Sequence, residues 1–288
     1  MFRKILLSLL AAIGLSYAAL NAYVYSIQDQ LTYHPIRRHA YAPADYGLSV
    51  QEHRVPTPTG ERLHAWYLPA AEESPDESSS FVLLYSHGNA GNLSHNLRSL
   101  RQLHQLGISV FIYDYRGYGE STGIPDEAGL YADAHAALDY LRNTLKIPAE
   151  RVLYFGRSLG GAMAVDLAAR RPARALILES TFTSAVDVGA EVYWFLPVSL
   201  LARNRFESLE RLRTHALKDV NGEDLPVLII HGRQDRLVPF AHAERLHAAA
   251  RTKRKTLLEI QGGHNDAFLV SKKRYEAAFA DFLKDLKR

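Results

Sequence analysis

The chain has 288 residues, of which 47% are hydrophobic and 23% are charged, so its length and composition are those of an ordinary globular protein. Its net charge of +3 is small and its basic residues are dispersed, which argues against a nucleic-acid partner. The absence of cysteine excludes disulfides and a thiol nucleophile, and the thirteen histidines contain no His-Glu-x-x-His motif, so we expect no metal centre.

The N-terminal segment differs from the rest of the chain. An uncharged run from Ile5 to Tyr25 follows the basic pair Arg3-Lys4, and as a helix it spans roughly 30 Å, the thickness of a bilayer core. We expect residues 1–27 to be a single-pass membrane anchor; a signal peptide cleaved near Ser16 to Ala18 is the alternative. The basic pair favours a cytoplasmic N-terminus, which places the following domain on the non-cytoplasmic side, although Arg37-Arg38 weakens this orientation.

Prolines and turn residues divide the next part of the chain. Residues 28–46 contain two prolines and are expected to form an irregular tether. Two runs of strand-forming residues, Leu48 to Val55 and Arg62 to Leu68, flank a turn and predict a β-hairpin. Residues 71–80 are polar and acidic, so we expect a solvated surface loop there.

From Phe81 onward, short apolar runs alternate with helical patterns. The predicted strands are Phe81–Tyr85, Ser109–Tyr113, Arg151–Phe155, Ala175–Leu178, Pro226–Ile230 and Lys255–Ile260. The predicted helices are Leu93–Gln105, Glu127–Leu145, Leu159–Arg170, Phe240–Ala250 and Ser271–Lys287. Because the strands are almost continuously apolar, we predict one α/β domain over residues 28–288, with a mostly parallel, doubly wound sheet covered by helices on both faces.

The third of these strands leads into Gly156-Arg157-Ser158-Leu159-Gly160, where two glycines bracket a serine. In a parallel sheet, functional residues gather beyond the carboxyl ends of the strands. A sharp strand-to-helix turn holds a serine clear of its neighbours, and its close backbone approaches require glycine on both sides. Ser158 is therefore a candidate nucleophile, while the motif alone also fits a tight structural junction.

An aspartate and a histidine follow two later strands. A serine hydroxyl needs a histidine to accept its proton, and the imidazole needs a carboxylate to fix its tautomer. His264 and Asp235 fit these roles, in the chain order serine, aspartate, histidine that is typical of such a sheet. Asp266 also lies close to His264 in the sequence, but its position two residues later suits a turn cap better.

Two backbone amides are candidates for an oxyanion hole. The amide of Leu159 begins the helix that follows the nucleophile. In the loop of residues 87–89, a glycine lets the backbone approach the nucleophile, so the amide of Asn89 is the second candidate. His87 is expected to be a buried, hydrogen-bonded loop residue, because His264 already occupies the position of the base.

Other residues near the predicted site have structural interpretations. The run Gly117-Tyr118-Gly119 lacks the third glycine of a dinucleotide-binding loop, where Thr122 stands instead. Asp114 and Arg116 are expected to brace this loop as an ion pair. The sequence leaves the role of Arg157 open.

Six segments together resemble one group of proteins, the membrane-anchored bud-emergence-type α/β-hydrolase-domain serine hydrolases. They are SHGNAGN, YDYRGYGES, GRSLGGA, ESTF, IIHGRQD and GGHND, and the resemblance extends from the apolar N-terminal segment to the last helix. It implies the α/β-hydrolase fold, no cofactor, and Ser158 as nucleophile, Asp235 as acid and His264 as base. Members of this group are described as esterases, acyl-thioesterases or prolyl-oligopeptidase-like peptidases, so the resemblance leaves the substrate open.

Residues 181–221 separate two strands by about forty residues and are predicted to form an inserted helical cap. Within them, Tyr193, Trp194 and Phe195 either pack the cap on the sheet or form a wall that binds an acyl chain and dips into the bilayer surface. The sequence thus favours a membrane-anchored serine hydrolase of acyl esters or thioesters. A peptidase or amidase with the same machinery and a non-catalytic anchored scaffold are the alternatives, and the oligomeric state is left open.

Overall fold

The computed structural model describes residues 1–70 and 81–287, so the polar loop predicted at 71–80 lies outside the described residues. The strands are β1 (His34–Pro35), β2 (Gln51–Pro56), β3 (Arg62–Leu68), β4 (Val82–Ser86), β5 (Ala90–Gly91), β6 (Ser109–Tyr113), β7 (Val152–Arg157), β8 (Ala175–Glu179), β9 (Val227–Gly232) and β10 (Lys255–Ile260). The α-helices are α1 (Phe2–Thr32), α2 (Leu97–Gln105), α3 (Glu127–Asn143), α4 (Gly160–Arg170), α5 (Ala185–Val192), α6 (Val198–Leu201), α7 (Ser208–Thr214), α8 (Ala241–Ala249), α9 (Ala267–Val270) and α10 (Lys272–Leu286).

Eight strands form one sheet in the order β10-β9-β8-β7-β4-β6-β3-β2. From β10 to β6 all neighbours are parallel, whereas β3 runs antiparallel to both β6 and β2. The chain winds from β4 to β6 and then crosses back to β7 on the other side of β4. The carboxyl ends of β4 and β7 therefore flank the switch point of the sheet, the position at which α/β proteins place their sites.

The sheet is buried on both faces. Along β4, Val82 and Leu84 belong to one apolar core, while Leu83 and Tyr85 belong to the other. Side chains of α3, α4, α7 and α8 complete the first core, and those of α2 and α10 complete the second. Because successive residues of a strand point to opposite faces, this two-sided burial accounts for the continuous apolar runs. The predicted α/β architecture is confirmed.

Helix α1 is exposed and apolar. It has the length and composition to cross a membrane, and its most apolar 18-residue window is 0% buried. It continues to Thr32, beyond the predicted boundary at residue 27. The prediction of an irregular tether is wrong for residues 28–35, because α1 continues through the first of them and β1 then pairs in parallel with β5.

The segment predicted as a cap, residues 181–221, follows β8 and contains α5, α6 and α7. Helix α5 begins at a Ser184 cap, whose hydroxyl accepts a hydrogen bond from the amide of Asp187. Helix α7 packs on α4, the helix that follows Ser158. The segment thus begins at the carboxyl ends of the strands, where the candidate nucleophile also lies.

Candidate active site

Ser158 lies between the end of β7 and the first turn of α4, with a φ of +52°. A residue with a side chain adopts this left-handed conformation only where its surroundings hold it there. The amide of Ser158 donates to the carbonyl of Glu179 at 2.9 Å, and its carbonyl accepts from the Thr181 hydroxyl at 2.7 Å and from the Gly161 amide at 2.9 Å. The strained turn is therefore fixed from the neighbouring strand β8 and from α4.

Glycine is required on both sides of Ser158. A Cβ atom on Gly160 would lie 1.9 Å from the carbonyl oxygen of Ser86, at the end of β4. A Cβ atom on Gly156 would lie 2.4 Å from the carbonyl oxygen of Gly160. Both contacts are with backbone, which cannot rotate away as a side chain can, so the sequence prediction about these glycines is confirmed.

The structure brings the three predicted polar side chains together. The Nε2 atom of His264 lies 3.0 Å from the Oγ of Ser158, and its Nδ1 atom lies 2.7 Å from the Oδ2 of Asp235. In the tautomer that carries the proton on Nδ1, the imidazole donates to the carboxylate and Nε2 accepts from the serine hydroxyl. This arrangement can withdraw the proton from Ser158 as its oxygen attacks.

Asp235 is held as a carboxylate. Its Oδ1 atom accepts hydrogen bonds from the amides of Leu237 and Val238 at 3.0 and 2.8 Å. Burial alone would raise the pKa of this carboxyl, but hydrogen bonds from His231 and His264 outweigh it and hold the pKa well below its usual range. An ionised carboxylate is the form that stabilises an imidazolium.

Asp266, the other aspartate near His264, is engaged elsewhere. Its Oδ1 atom accepts a hydrogen bond from the amide of Gly263 at 2.6 Å. This contact caps the turn that carries His264, as its sequence position predicts.

The loop of residues 87–89 passes close to Ser158. A Cβ atom on Gly88 would lie 3.6 Å from the Cβ of Ser158. His87 is fully buried, its Nδ1 donates to the carbonyl of Gly88 at 2.7 Å, and its Nε2 faces Asp114 Oδ1 at 3.2 Å. The expectation of a buried, hydrogen-bonded His87 is confirmed.

The side chain of Asn89 links this loop to two other segments. Its Oδ1 accepts from the Tyr118 hydroxyl at 2.8 Å, and its Nδ2 donates to the carbonyl of Thr32, the last residue of α1. Leu159, the other predicted donor residue, stands at the N-terminus of the eleven-residue helix α4. The N-terminal end of a helix favours negative charge, so an oxyanion beside Ser158 would lie in a favourable field.

Arg157, whose role the sequence leaves open, is part of a buried network beneath the site. Its Nε lies 3.3 Å from Glu179 Oε1, and its guanidinium also donates to the carbonyl of His264 at 3.3 Å. Tyr275 donates to the other oxygen of Glu179 at 2.8 Å. The network therefore joins the nucleophile strand β7 to the loop that carries the histidine. In the sequence, the one sign of this network is Glu179 of the ESTF segment, a charged residue directly after a predicted strand.

The predicted ion pair between Asp114 and Arg116 is wrong. Arg116 pairs instead with Asp133 of α3, at 2.7 Å, and lies 3.6 Å from Glu61. Asp114 turns inward, where it faces His87 and accepts a hydrogen bond from the amide of Leu93 at 2.7 Å. The two side chains leave the backbone in different directions, so each brace of this loop is made with a distant segment.

The three aromatic residues proposed for an acyl wall are exposed. Tyr193, Trp194 and Phe195 are 38%, 82% and 49% exposed, whereas the next residue, Leu196, is buried. Packing of the cap on the sheet therefore does not account for these three side chains. The carbonyl of Phe195 accepts a hydrogen bond of 2.9 Å from the hydroxyl of Tyr17 in α1.

Within residues 1–70 and 81–287, one group of side chains lies close enough together to be considered for a metal ion: His39, His64 and Asp114, whose ligand atoms lie within 4.8 Å of one another. The two imidazole rings are nearly parallel, at 15°, with centroids 5.1 Å apart. Their nitrogen lone pairs therefore lie in nearly parallel planes, a geometry that suits ring stacking better than shared ligation.

Known proteins with similar sequences identify the family. A family model described as serine aminopeptidase, S33, matches residues 77–205. The α/β-hydrolase domain-containing protein WAV2 of Arabidopsis thaliana is 32% identical over 286 residues, which cover 91% of this chain and 89% of WAV2. The chain belongs to the α/β-hydrolase family. The bem46 protein of Schizosaccharomyces pombe is a further relative of this α/β hydrolase, 32% identical over 285 residues that cover 95% of the chain and 91% of bem46.

The solved structure of an esterase from Pyrococcus furiosus shares the fold. It superposes on this α/β hydrolase with a TM-score of 0.68, over 88% of this chain and 98% of the esterase, at 19% sequence identity. The resemblance inferred from the six sequence segments is thus confirmed at the level of family and fold.

Proposed function

We propose that this α/β hydrolase is a serine hydrolase that cleaves esters or thioesters of acyl chains through an acyl-enzyme. The observation that carries the proposal is the continuous contact from Ser158 to His264 to Asp235, at 3.0 and 2.7 Å. A nucleophile, a base and a group that orients the base are the parts that acyl transfer requires, and their contacts lie within hydrogen-bonding distance.

The reaction proceeds in two halves. Ser158 Oγ attacks the acyl carbonyl while His264 takes its proton, and the amides of Leu159 and Asn89 stabilise the oxyanion. His264 then gives the proton to the leaving alcohol or thiol as the bond to the acyl carbon breaks. Water, deprotonated by the same imidazole, then attacks the acyl carbon. The bond from that carbon to Ser158 Oγ breaks, His264 returns the proton to Oγ, and the acid is released. Asp235 stabilises the imidazolium in both halves.

The acyl chain is proposed to lie along the cap, residues 181–221, with Tyr193, Trp194 and Phe195 as its wall. We propose that α1 anchors the protein in a membrane, with the hydrolase domain on the non-cytoplasmic side. The exposure of the three aromatic side chains and the hydrogen bond from Tyr17 of α1 to the carbonyl of Phe195 support the acyl wall and the anchor. The basic pair Arg3-Lys4 before the apolar run supports the orientation.

An amidase or peptidase that uses the same residues is the second candidate. The description of the matching family model, serine aminopeptidase, favours it. Amide and ester substrates share the tetrahedral intermediate, so the site alone is compatible with both.

A matched substrate series tests these proposals. Purified wild type and Ser158→Ala are assayed on acyl esters of increasing chain length, on the corresponding thioesters and on aminoacyl anilides. We expect faster turnover of esters or thioesters, an optimum at an intermediate or long chain, and a loss of roughly 10⁴-fold or more in Ser158→Ala. Preferred turnover of anilides would favour the amidase, and full activity of Ser158→Ala would exclude the mechanism.

A further inference from the structure

One face of α1 lies along the cap. Asn21 and Val24 are half-buried and Gln28 is buried, while the hydroxyl of Tyr17 reaches the carbonyl of Phe195. Positions 17, 21, 24 and 28 recur every three or four residues, so they form one stripe of a helix. The helix proposed as a membrane anchor therefore contacts its own domain at two levels, at Tyr17 and at Gln28–Asp29, about three turns apart.

The C-terminal end of this stripe is polar. Gln28 Oε1 accepts from the amide of Arg203 at 2.7 Å, and Asp29 accepts from the Arg203 guanidinium at 2.9 Å and from the Asn204 amide group at 2.7 Å. The side chains of Arg203 and Asp29 are 42% and 53% exposed. Half-exposed charges require water or lipid headgroups around them, so when α1 spans a membrane this cluster lies at the level of the headgroups.

The rise along α1 gives the depth of the cap below the charged cluster. From Gln28 back to Tyr17, α1 rises by about 16 Å, and from Tyr25, the last residue of the apolar run, by about 12 Å. The carbonyl of Phe195 lies at the level of Tyr17. A bilayer core is about 30 Å thick, so this level is well inside one leaflet when α1 spans the membrane.

The segment at that depth is suited to lipid. We call Val192–Leu200, VYWFLPVSL, the apolar loop; it comprises the last residue of α5, the turn after it and most of α6, and it carries no charged residue. Val192, Trp194 and Leu200 are 51%, 82% and 84% exposed. The Tyr17 hydroxyl pairs with one of its backbone carbonyls, as a hydrocarbon environment demands.

The active site is tied to the same helix. The side chain of Asn89, in the loop beside Ser158, donates to the carbonyl of Thr32. Thr32 lies about 10 Å along the helix from Tyr25, on the polar side of the charged cluster. When α1 spans a membrane, the site is thus level with the headgroups, and the apolar loop is at the depth of the hydrocarbon.

We propose that the apolar loop is immersed in the leaflet beside α1, and that the hydrolase draws the acyl chain of a membrane-resident ester along this loop to Ser158. The substrate class is then an acyl ester or thioester anchored in the same bilayer, not a freely soluble ester. The second statement rests on the proposed function, whereas the immersion of the loop does not.

The two tryptophans of the chain allow the immersion to be measured without any activity. Trp66 is 1% exposed in the core, and Trp194 is 82% exposed on the apolar loop. The full chain is reconstituted in phosphatidylcholine vesicles containing lipids brominated at different chain positions, and its fluorescence is compared with that of Trp194→Phe. We expect bromines within the acyl chain to quench the wild type more strongly than aqueous iodide does, and this difference to vanish in Trp194→Phe.

Strong quenching by iodide, with none by brominated lipid, would place the loop in water and overturn the proposal. Resistance of Trp194 to both quenchers would mean that protein, such as a second copy of the chain, covers the loop, and would overturn it equally.

The substrate class is tested with Leu200→Asp, and with Val270→Asp as a control on α9, where an exposed apolar residue lies outside the loop. A charge at bilayer depth is strongly disfavoured. We expect the ratio of activity on a long-chain ester in vesicles to activity on a short soluble ester to fall roughly tenfold or more in Leu200→Asp, and to stay at the wild-type value in Val270→Asp. Equal activity of both variants on the vesicle ester would refute the substrate route. If no variant or wild type hydrolyses either ester, the proposed function fails, while the quenching result stands on its own.

Discussion

Arg157 and Glu179 form a buried ion pair beneath the candidate site, and its removal has a predictable cost. The two residues are only 9% and 3% exposed and are register partners on β7 and β8. Replacing Arg157 by methionine leaves the charge of Glu179 in the interior with Tyr275 as its remaining donor. Breaking such a pair on one side costs about 3–5 kcal/mol in free energy of unfolding. At about 2–4 °C per kcal/mol, we expect the melting temperature to fall by about 6–20 °C.

The assay is a thermal melt in detergent at one fixed scan rate, on wild type, Arg157→Met, Glu179→Gln and the double variant. Glu179→Gln keeps an acceptor for the Tyr275 hydroxyl and removes the charge. We therefore expect the double variant to recover at least half of the loss seen in Arg157→Met. A fall of less than about 2 °C in Arg157→Met, or a double variant as unstable as the sum of the two single ones, would refute the assignment of a buried, coupled pair.

Three further outcomes follow from the site. Asp235→Asn should lower kcat/KM by roughly 10³–10⁴-fold, because the amide no longer selects the productive tautomer of His264; a loss below tenfold would contradict the assigned role. The pKa of Asp235 is lower in the folded chain than the usual 3.9 or so, so its carboxylate stabilises the fold above that pH. The difference in free energy of unfolding between wild type and Asp235→Asn, from denaturant titrations, should therefore shrink between about pH 5 and pH 2, and a difference that stays constant would contradict the lowered pKa. Gly160→Ala forces a Cβ atom within 1.9 Å of the Ser86 carbonyl and should abolish activity and lower stability, whereas Gly14→Ala, with open space around it, should leave both unchanged; an active, stable Gly160→Ala would show that the turn can relax.

The sheet could be predicted because each of its strands is a local signal. A run such as Val82 to Tyr85 is apolar at every position, and the structure buries alternate residues in the two cores. The turn at Ser158 is likewise predictable from a local signal, because the glycines that it needs lie only two residues away. The positions of the predicted serine, aspartate and histidine then followed from parallel strands ending at one edge.

Contacts between distant segments were not predictable in this way. The sequence predicts an ion pair between Arg116 and its neighbour Asp114, but in the structure Arg116 pairs with Asp133 of the following helix. Nothing in the periodicity of either segment encodes that choice, which depends on how α3 crosses the sheet.

The segment after α1 shows the same limitation. Prolines predicted an irregular tether, yet β1 pairs with β5 and the carbonyl of Thr32 accepts from Asn89. These contacts satisfy backbone groups that a free tether would leave to water, and they depend on the loop that they bind. They join α1, the helix proposed as a membrane anchor, to the loop that is proposed to supply an oxyanion donor.

The measurement that tests the account most directly is the intact mass of the purified protein after reaction with a fluorophosphonate probe. We predict one adduct on wild type, located on Ser158 by peptide mapping, no adduct on Ser158→Ala, and greatly slowed labelling of His264→Ala. A folded wild type that stays unlabelled, or an adduct that persists in Ser158→Ala, would contradict the assignment of Ser158 as the activated nucleophile.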